Sequence, residues 1–205
     1  MRYDAGSCDV AVVGAGHAGI EAALAAAHYG LDNLIIINDK NNLQLAGPTR
    51  EIMNTDPLAE KWQAFGMTVT ECQGNNMASV VATLEGLKQE GKPNVVIANT
   101  TKGAGISFIQ GRPEWHHRVP KGEEIALALE ELKDETRTMV IYEAPHRLTK
   151  TLVELQDTLG GDRQITICKE LTKRYENSME FTLESACEYY ENNEPRGEYV
   201  LVIAG

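Results

Sequence analysis

No apolar run in these 205 residues is long enough to cross a bilayer. The opening stretch "MRYDAGSCDVAVVGAG" also lacks the basic, apolar and small-residue order of a signal peptide, so a cytoplasmic location without membrane association is expected. Cysteine is sparse: Cys8, Cys72, Cys168 and Cys187 are widely spaced and form no C-x-x-C pair, which leaves no zinc or redox motif and reads as buried or half-buried thiols. No metal ligand set is expected from them. Basic residues are outnumbered, 19 Lys and Arg against 30 Asp and Glu. The formal net charge of -11 repels polyanions, so no nucleic-acid partner is expected. Internal repeats and low-complexity tracts are missing, which excludes a solenoid. What remains, 42% hydrophobic and 24% charged residues, is a globular balance for a chain able to bury its own core.

The run Val10 to Val13 ends in Gly14, and "HAGIEAALAAAHYG" follows with strong helix formers up to Gly30. With "NLIIINDK" as a second β-rich run, the opening is a βαβ unit. A punctuated stretch then precedes an amphipathic segment from Leu58 to Phe65, with Asp56 as the expected helix cap and Pro57 at its first position. "MTVTEC" reads as strand, "NNMASVVATLEGLKQEG" as a helix stopping at Gly91, and "PNVVIANT" as a buried strand. Thr101 to Lys121 reads as a long loop, of the kind that often carries function. Beyond the helix "GEEIALALEELKDE", strands at "TMVIYEA", "QITICKEL" and "GEYVLVIAG" alternate with helices at "PHRLTKTLVELQDTLGG" and "LESACEYYEN".

The fold class that follows is α/β: a Rossmann-like, mostly parallel sheet with flanking helices over 1–135, plus a smaller C-terminal α/β region over 136–205. "KDET" marks the expected boundary.

The first motif is Gly14-Ala15-Gly16-His17-Ala18-Gly19, placed after a strand and opening a helix, with Asp39 twenty residues beyond its last glycine. In a dinucleotide fold such glycines allow a tight turn and close approach to a pyrophosphate, and the acid holds a ribose hydroxyl. The segment "DVAVVGAGHAGIEAALAAA", within about 1–27, resembles the flavin-binding N-terminus of the GidA family of tRNA-modifying flavoproteins. That resemblance implies an FAD diphosphate site at Gly14, Gly16 and Gly19, with Asp39 on the ribose of FAD or NAD. Close packing of helix on strand is the alternative role for the glycines.

Over about 21–132 a second resemblance takes over inside the same helix. "EAALAAAHYGLDNLIIINDKNNLQLAGPT", "DPLAEKWQAFGMTV" and "NVVIANTTKGAGISFIQGRPEWHHRVP" are similar to the N-terminal part of transketolase. In that family a G-D-G turn and a later Asn hold the magnesium that bridges the thiamine diphosphate phosphates, since a hard cation takes oxygen ligands. The resemblance implies that Asn41 is the metal-binding Asn and His116 the histidine of the loop beside the cofactor. Ala15 stands where the metal carboxylate belongs, and the family's pyrimidine-binding module is missing. Binding of thiamine diphosphate with Mg²⁺ is therefore not expected.

Over about 137–205, "TMVIYEAPHRLTKTLVELQDTLGGDRQITICKELTKRYENSMEFTLES" and "EPRGEYVLVIAG" resemble the C-terminal half of the RsmI family, which methylates a ribose in ribosomal RNA with S-adenosylmethionine. The donor-binding lobe of that family is missing, so S-adenosylmethionine is not expected either. Glu143, His146 and Arg147 lie at a strand-to-helix turn and could form an acid, a base and an anion clamp, although a solvated helix cap explains them as well. Lys169, Lys173 and Arg174 form a local basic patch diluted by Glu170 and Glu176.

Three resemblances joined at matched secondary structure lead to the expectation of an engineered or artificial chimera that serves as a folding scaffold, with no cofactor and no catalytic residues. The alternative is a nucleotide-binding module for FAD or NAD through Gly14 to Gly19. Residual transketolase-like or methyltransferase chemistry ranks last. Homo-oligomerisation to cover sheet edges is left open.

Overall fold

In the computed structural model, which describes residues 11–13 and 17–205, the apolar runs form strands in two separate sheets. The chain divides into two units, Met1–Val119 and Pro120–Gly205.

The first unit opens with β1 (Ala11–Val13), α1 (His17–His28) and β2 (Ile35–Lys40). A two-strand hairpin, β3 (Leu43–Gln44) and β4 (Gly47–Pro48), and a single turn, α2 (Thr49–Ile52), come next. They lead into α3 (Leu58–Ala64), β5 (Thr68–Gln73), α4 (Met77–Glu85) and β6 (Asn94–Asn99). The sheet order is β1-β2-β6-β5 with every pairing parallel. A parallel sheet needs cover on both faces, and β6 shows it: Asn94 through Ala98 are all buried. Its side chains alternate between two cores. Val95 and Ile97 join Ile36, Ala23, Ala26, Trp62 and Met67 under α1 and α3, while Val96 and Ala98 join Cys72, Val80 and Leu84 under α4.

Local chemistry sets the element ends. Gly30, at φ 65°, closes α1, and the Leu31 N–H donates back to the Ala26 carbonyl at 3.0 Å. Asn76 caps α4 by accepting from the Ser79 N–H at 3.1 Å. That helix stops at Gly86 rather than Gly91, because the Gly86 N–H already closes it on the Ala82 carbonyl. The cap expected of Asp56 is not made. Pro57 is the N-cap of α3, and the Asp56 carboxylate instead accepts from Lys40 Nζ at 2.7 Å.

The second unit holds α5 (Glu123–Leu132), β7 (Met139–Glu143), α6 (Pro145–Leu159), β8 (Gln164–Lys169), β9 (Asn177–Thr182), α7 (Leu183–Asn192) and β10 (Tyr199–Ile203). Its sheet, β7-β10-β8-β9, is antiparallel throughout. Leu148, Leu152 and Leu155 on α6 and Leu183, Ala186, Cys187 and Tyr190 on α7 cover Ile165, Ile167, Leu201 and Ile203. Leu129 and Leu132 of α5 also pack on this core, so the unit begins at Pro120, ahead of "KDET". The strand β9 has no counterpart in the sequence reading: NSMEFT is a polar edge strand that turns only Met179 and Phe181 toward the core. Among the described residues, no helix is long and apolar enough to cross a membrane.

Leu152 is fully buried and its neighbour Val153 is exposed. Leu152→Ala should lower the unfolding free energy by about 2–5 kcal/mol. Val153→Ala should change it by about 0.5 kcal/mol or less, measured for both by urea denaturation. Equal effects of the two substitutions would contradict this packing.

Candidate functional site

In a parallel sheet the strands all end at the same edge, and sites form where loops leave that edge. Here β2 runs out through Asn38, Asp39 and Lys40 into Asn41 and Asn42. A cleft of about 360 Å³ opens there, lined by residues 38–43 together with Ile20 of α1 and Leu58 and Trp62 of α3. The turn is held by its own polar groups. Asn41 Oδ1 accepts from the Leu43 N–H at 3.0 Å, and the Thr49 N–H donates to the Asn42 carbonyl at 2.9 Å. Asn42 sits at φ 59°, a conformation that asparagine tolerates better than most side chains. Lys61 Nζ donates to the Thr55 carbonyl at 2.8 Å, and Lys40 pairs with Asp56, so the segment opposite the turn is tied down too.

Among the described residues, two buried polar atoms of the cleft's side chains have no hydrogen-bond partner. Asn38 Oδ1 and Trp62 Nε1 are buried without a hydrogen bond, and each unmade bond costs about 1–3 kcal/mol. An acceptor and a donor are thus left unpaired in two of the side chains that wall the cleft.

The residues singled out from sequence fall in different places. Gly14 and Gly16, with Ala15 between them, lie outside the described residues, and Gly19 is in the first turns of α1. Asp39 is at the cleft, where its carboxylate accepts a short hydrogen bond from the Thr100 hydroxyl. Asn41 is at the cleft as well. His116 is not among the residues lining it. It ends a 3-10 turn, Pro113–His116, inside the long loop, exposed, with Nδ1 2.5 Å from Lys102 Nζ. The Lys102 charge, then desolvation and then His117 hold its pKa below the usual histidine value. Trp115 beside it is buried, with Phe108 edge-on at 5.5 Å and the Arg118 guanidinium 4.3 Å above the ring.

In the second unit, Glu143 accepts from the Ala144 N–H at 2.8 Å and from the Thr151 hydroxyl, with Arg147 at 3.9 Å. Its oxygens fasten the start of α6. Lys173 binds Glu198 at 2.8 Å and Glu170 at 3.2 Å, so its charge is spent within the unit.

Residues 11–179 match the family model described as transketolase, thiamine diphosphate binding domain. The chain belongs to that transketolase family. It is 75% identical over 115 residues to one of the subunits of the apulose-4-phosphate transketolase of Actinobacillus succinogenes, covering 56% of this chain and 42% of that protein. Among solved structures, the transketolase from Campylobacter jejuni is similar with a TM-score of 0.53 and 26% identity, over 62% of this chain and 20% of that one. A further 77 residues, 38% of this chain, are 49% identical to ribosomal RNA small subunit methyltransferase I of Synechocystis, covering 28% of that protein. The chain spans less than half the length of these curated relatives.

These matches support the transketolase and methyltransferase resemblances and correct two expectations. An engineered or artificial scaffold is overturned by 75% identity, across more than half the chain, to part of a transketolase. The expectation of no cofactor, with thiamine diphosphate not expected and FAD or NAD as the alternative, is overturned by a family model for a thiamine diphosphate binding domain. The first had rested on three resemblances joined at matched secondary structure, and the second on Ala15 at the metal-carboxylate position together with the missing pyrimidine-binding module. Asn38 and Trp62 escaped the sequence reading because one lies in an apolar strand run and the other on the apolar face of an amphipathic helix.

The Lys40 hydrogen bond, followed by its charge, holds the Asp56 carboxyl below its ordinary value. A depressed folded-state pKa means that the pair stabilises the folded chain above the unfolded value, about 3.9, and that this is lost as pH falls through Asp56's own lower value. Lys40→Met should raise the Asp56 titration toward the ordinary carboxylate value in carboxyl-carbon NMR. An unmoved titration would show that the pair does not hold the segment.

Proposed function

We propose that the first unit binds the magnesium and diphosphate end of thiamine diphosphate and acts as one part of a divided transketolase. The observation that carries this reading is the turn Asn38–Leu43 at the end of β2. There an Asn41 side chain fixed in place and an unpaired Asn38 oxygen stand at one cleft, in a segment 75% identical to part of a transketolase.

The residues present fit the group. Mg²⁺ takes hard oxygen ligands and accepts amide and main-chain carbonyl oxygens alongside phosphate, so Asn41 would hold the ion, with Asn38 a further oxygen beside it. Ala15 offers no carboxylate, which removes one negative charge from the set and weakens the hold on the cation without abolishing the site. Thiamine diphosphate, when bound, supplies the thiazolium carbon that carries a two-carbon ketol group between sugars. The chain's own part is to seat the diphosphate, to wall the cleft with Ile20, Leu58 and Trp62, and to keep Asp39 occupied by Thr100.

The relatives from Actinobacillus succinogenes and Phocaeicola vulgatus are each one subunit of an apulose-4-phosphate transketolase, which points to a second, complementary chain and to a ketose phosphate as the substrate class. Turnover is accordingly expected to need that second chain. The second unit, with its own core, adds an α/β module similar to part of an RNA methyltransferase.

Calorimetry of the chain with thiamine diphosphate and Mg²⁺ should register Mg²⁺-dependent binding. Asn41→Ala should weaken it tenfold or more, and Ala15→Asp should tighten it by about tenfold, a change of about 1.4 kcal/mol. Heat that is identical in wild type and both variants would contradict the site.

A further inference from the structure

We propose that Lys102 is a positioning residue that locks His116 in the neutral tautomer bearing its proton on Nε2. This inference rests on the proposed function only for its consequence, the way His116 would meet a ligand oxygen.

Both partners are set by the backbone. The Gly111 N–H donates to the Lys102 carbonyl at 2.9 Å, and the Thr101 N–H donates to Asn75 Oδ1 at 2.6 Å, so the base of the loop is closed on either side of Lys102. Gly103, at φ 71°, makes this closure possible: a Cβ there would lie 2.6 Å from Ile109 Cγ2. On the other side, the buried Trp115 ring anchors the 3-10 turn that ends in His116. These anchors bring Lys102 Nζ to 2.5 Å from His116 Nδ1.

The chemistry of the pair then decides the tautomer. An ammonium has only N–H groups to give, so Nδ1 must accept, and a neutral imidazole with an accepting Nδ1 carries its proton on Nε2. A second proton on the ring would face the ammonium head-on. The groups acting on its charge are Lys102, from the loop after β6, and His117, whose ring lies 4.7 Å away edge-on. Both oppose imidazolium. His116 is thereby kept as a single N–H donor with a fixed charge behind it, suited to a ligand oxygen.

Long-range nitrogen–proton NMR on the free full-length chain tests this directly, over about pH 5 to 8. The His116 signals are identified by their loss in His116→Gln. Wild type should show the Nε2–H tautomer of His116, titrating below the ordinary 6.5. Lys102→Met should mix the tautomers and raise the titration toward 6.5, and Lys102→Arg, which also can only donate, should restore the wild-type tautomer. Amide spectra of each variant check the fold. A wild-type Nδ1–H tautomer, or a tautomer ratio unchanged in Lys102→Met, would overturn the proposal. No cofactor is needed, so calorimetry with thiamine diphosphate fails or succeeds independently of this result.

Discussion

Strand β6 is the constraint on which the first unit depends. It is bound in parallel by β2 on one side and β5 on the other, and its side chains feed both cores in alternation. Parallel pairing in this register brings Lys40, Asn99 and Gln73 to the same edge. The polar residues that follow each strand, Asn41 and Asn42 after β2, Thr100 after β6 and Asn75 after β5, are therefore neighbours although the chain spaces them widely. The hydrogen bonds from Thr100 to Asp39 and from the Thr101 N–H to Asn75 follow from that alignment. Burial of Val95, Val96 and Ile97 is what holds the edge in place, so the site's polar geometry is underwritten by apolar packing some distance away.

The second unit is built on another rule. Antiparallel strands turn one face to α6 and α7, and the strand side chains alternate accordingly, with Tyr199, Leu201 and Ile203 buried and Val200 and Val202 between them less so. Its polar groups are consumed locally. Glu143 ties down the first turn of α6, Thr182 and Ser185 cap α7 reciprocally, and Lys173 joins Glu170 to Glu198. Residues that read from sequence as an acid, a base and a clamp are thus, in Glu143 at least, fastenings of the fold.

Much of this was legible in the sequence where pattern follows directly from packing. The βαβ opening, the buried strand at Asn94–Asn99 and the α6 stripe all show their period. Asn41, singled out by resemblance, and Asp39, singled out by spacing for a dinucleotide ribose, both line the cleft at the end of β2. The rest needed three dimensions. An edge strand such as β9 buries too little to show alternation, and Asp56 gave up its capping role to a lysine sixteen residues away. Whether Asn38 and Trp62 find partners, and whether Lys102 meets His116, depends on contacts that no local pattern encodes. The larger misreading came from weighing the joined resemblances, Ala15 and the missing module above the long transketolase-like stretch.

The central claim is that the end of β2 is where the cofactor's diphosphate is held. Amide NMR of the labelled full-length chain, titrated with thiamine diphosphate and Mg²⁺, tests it most directly. The account predicts saturable shifts concentrated at Asn38 to Leu43 and at Thr100, with the amides of Glu143 to Arg147 unmoved. Shifts centred on the second unit, or none at the end of β2 when binding saturates, would contradict it.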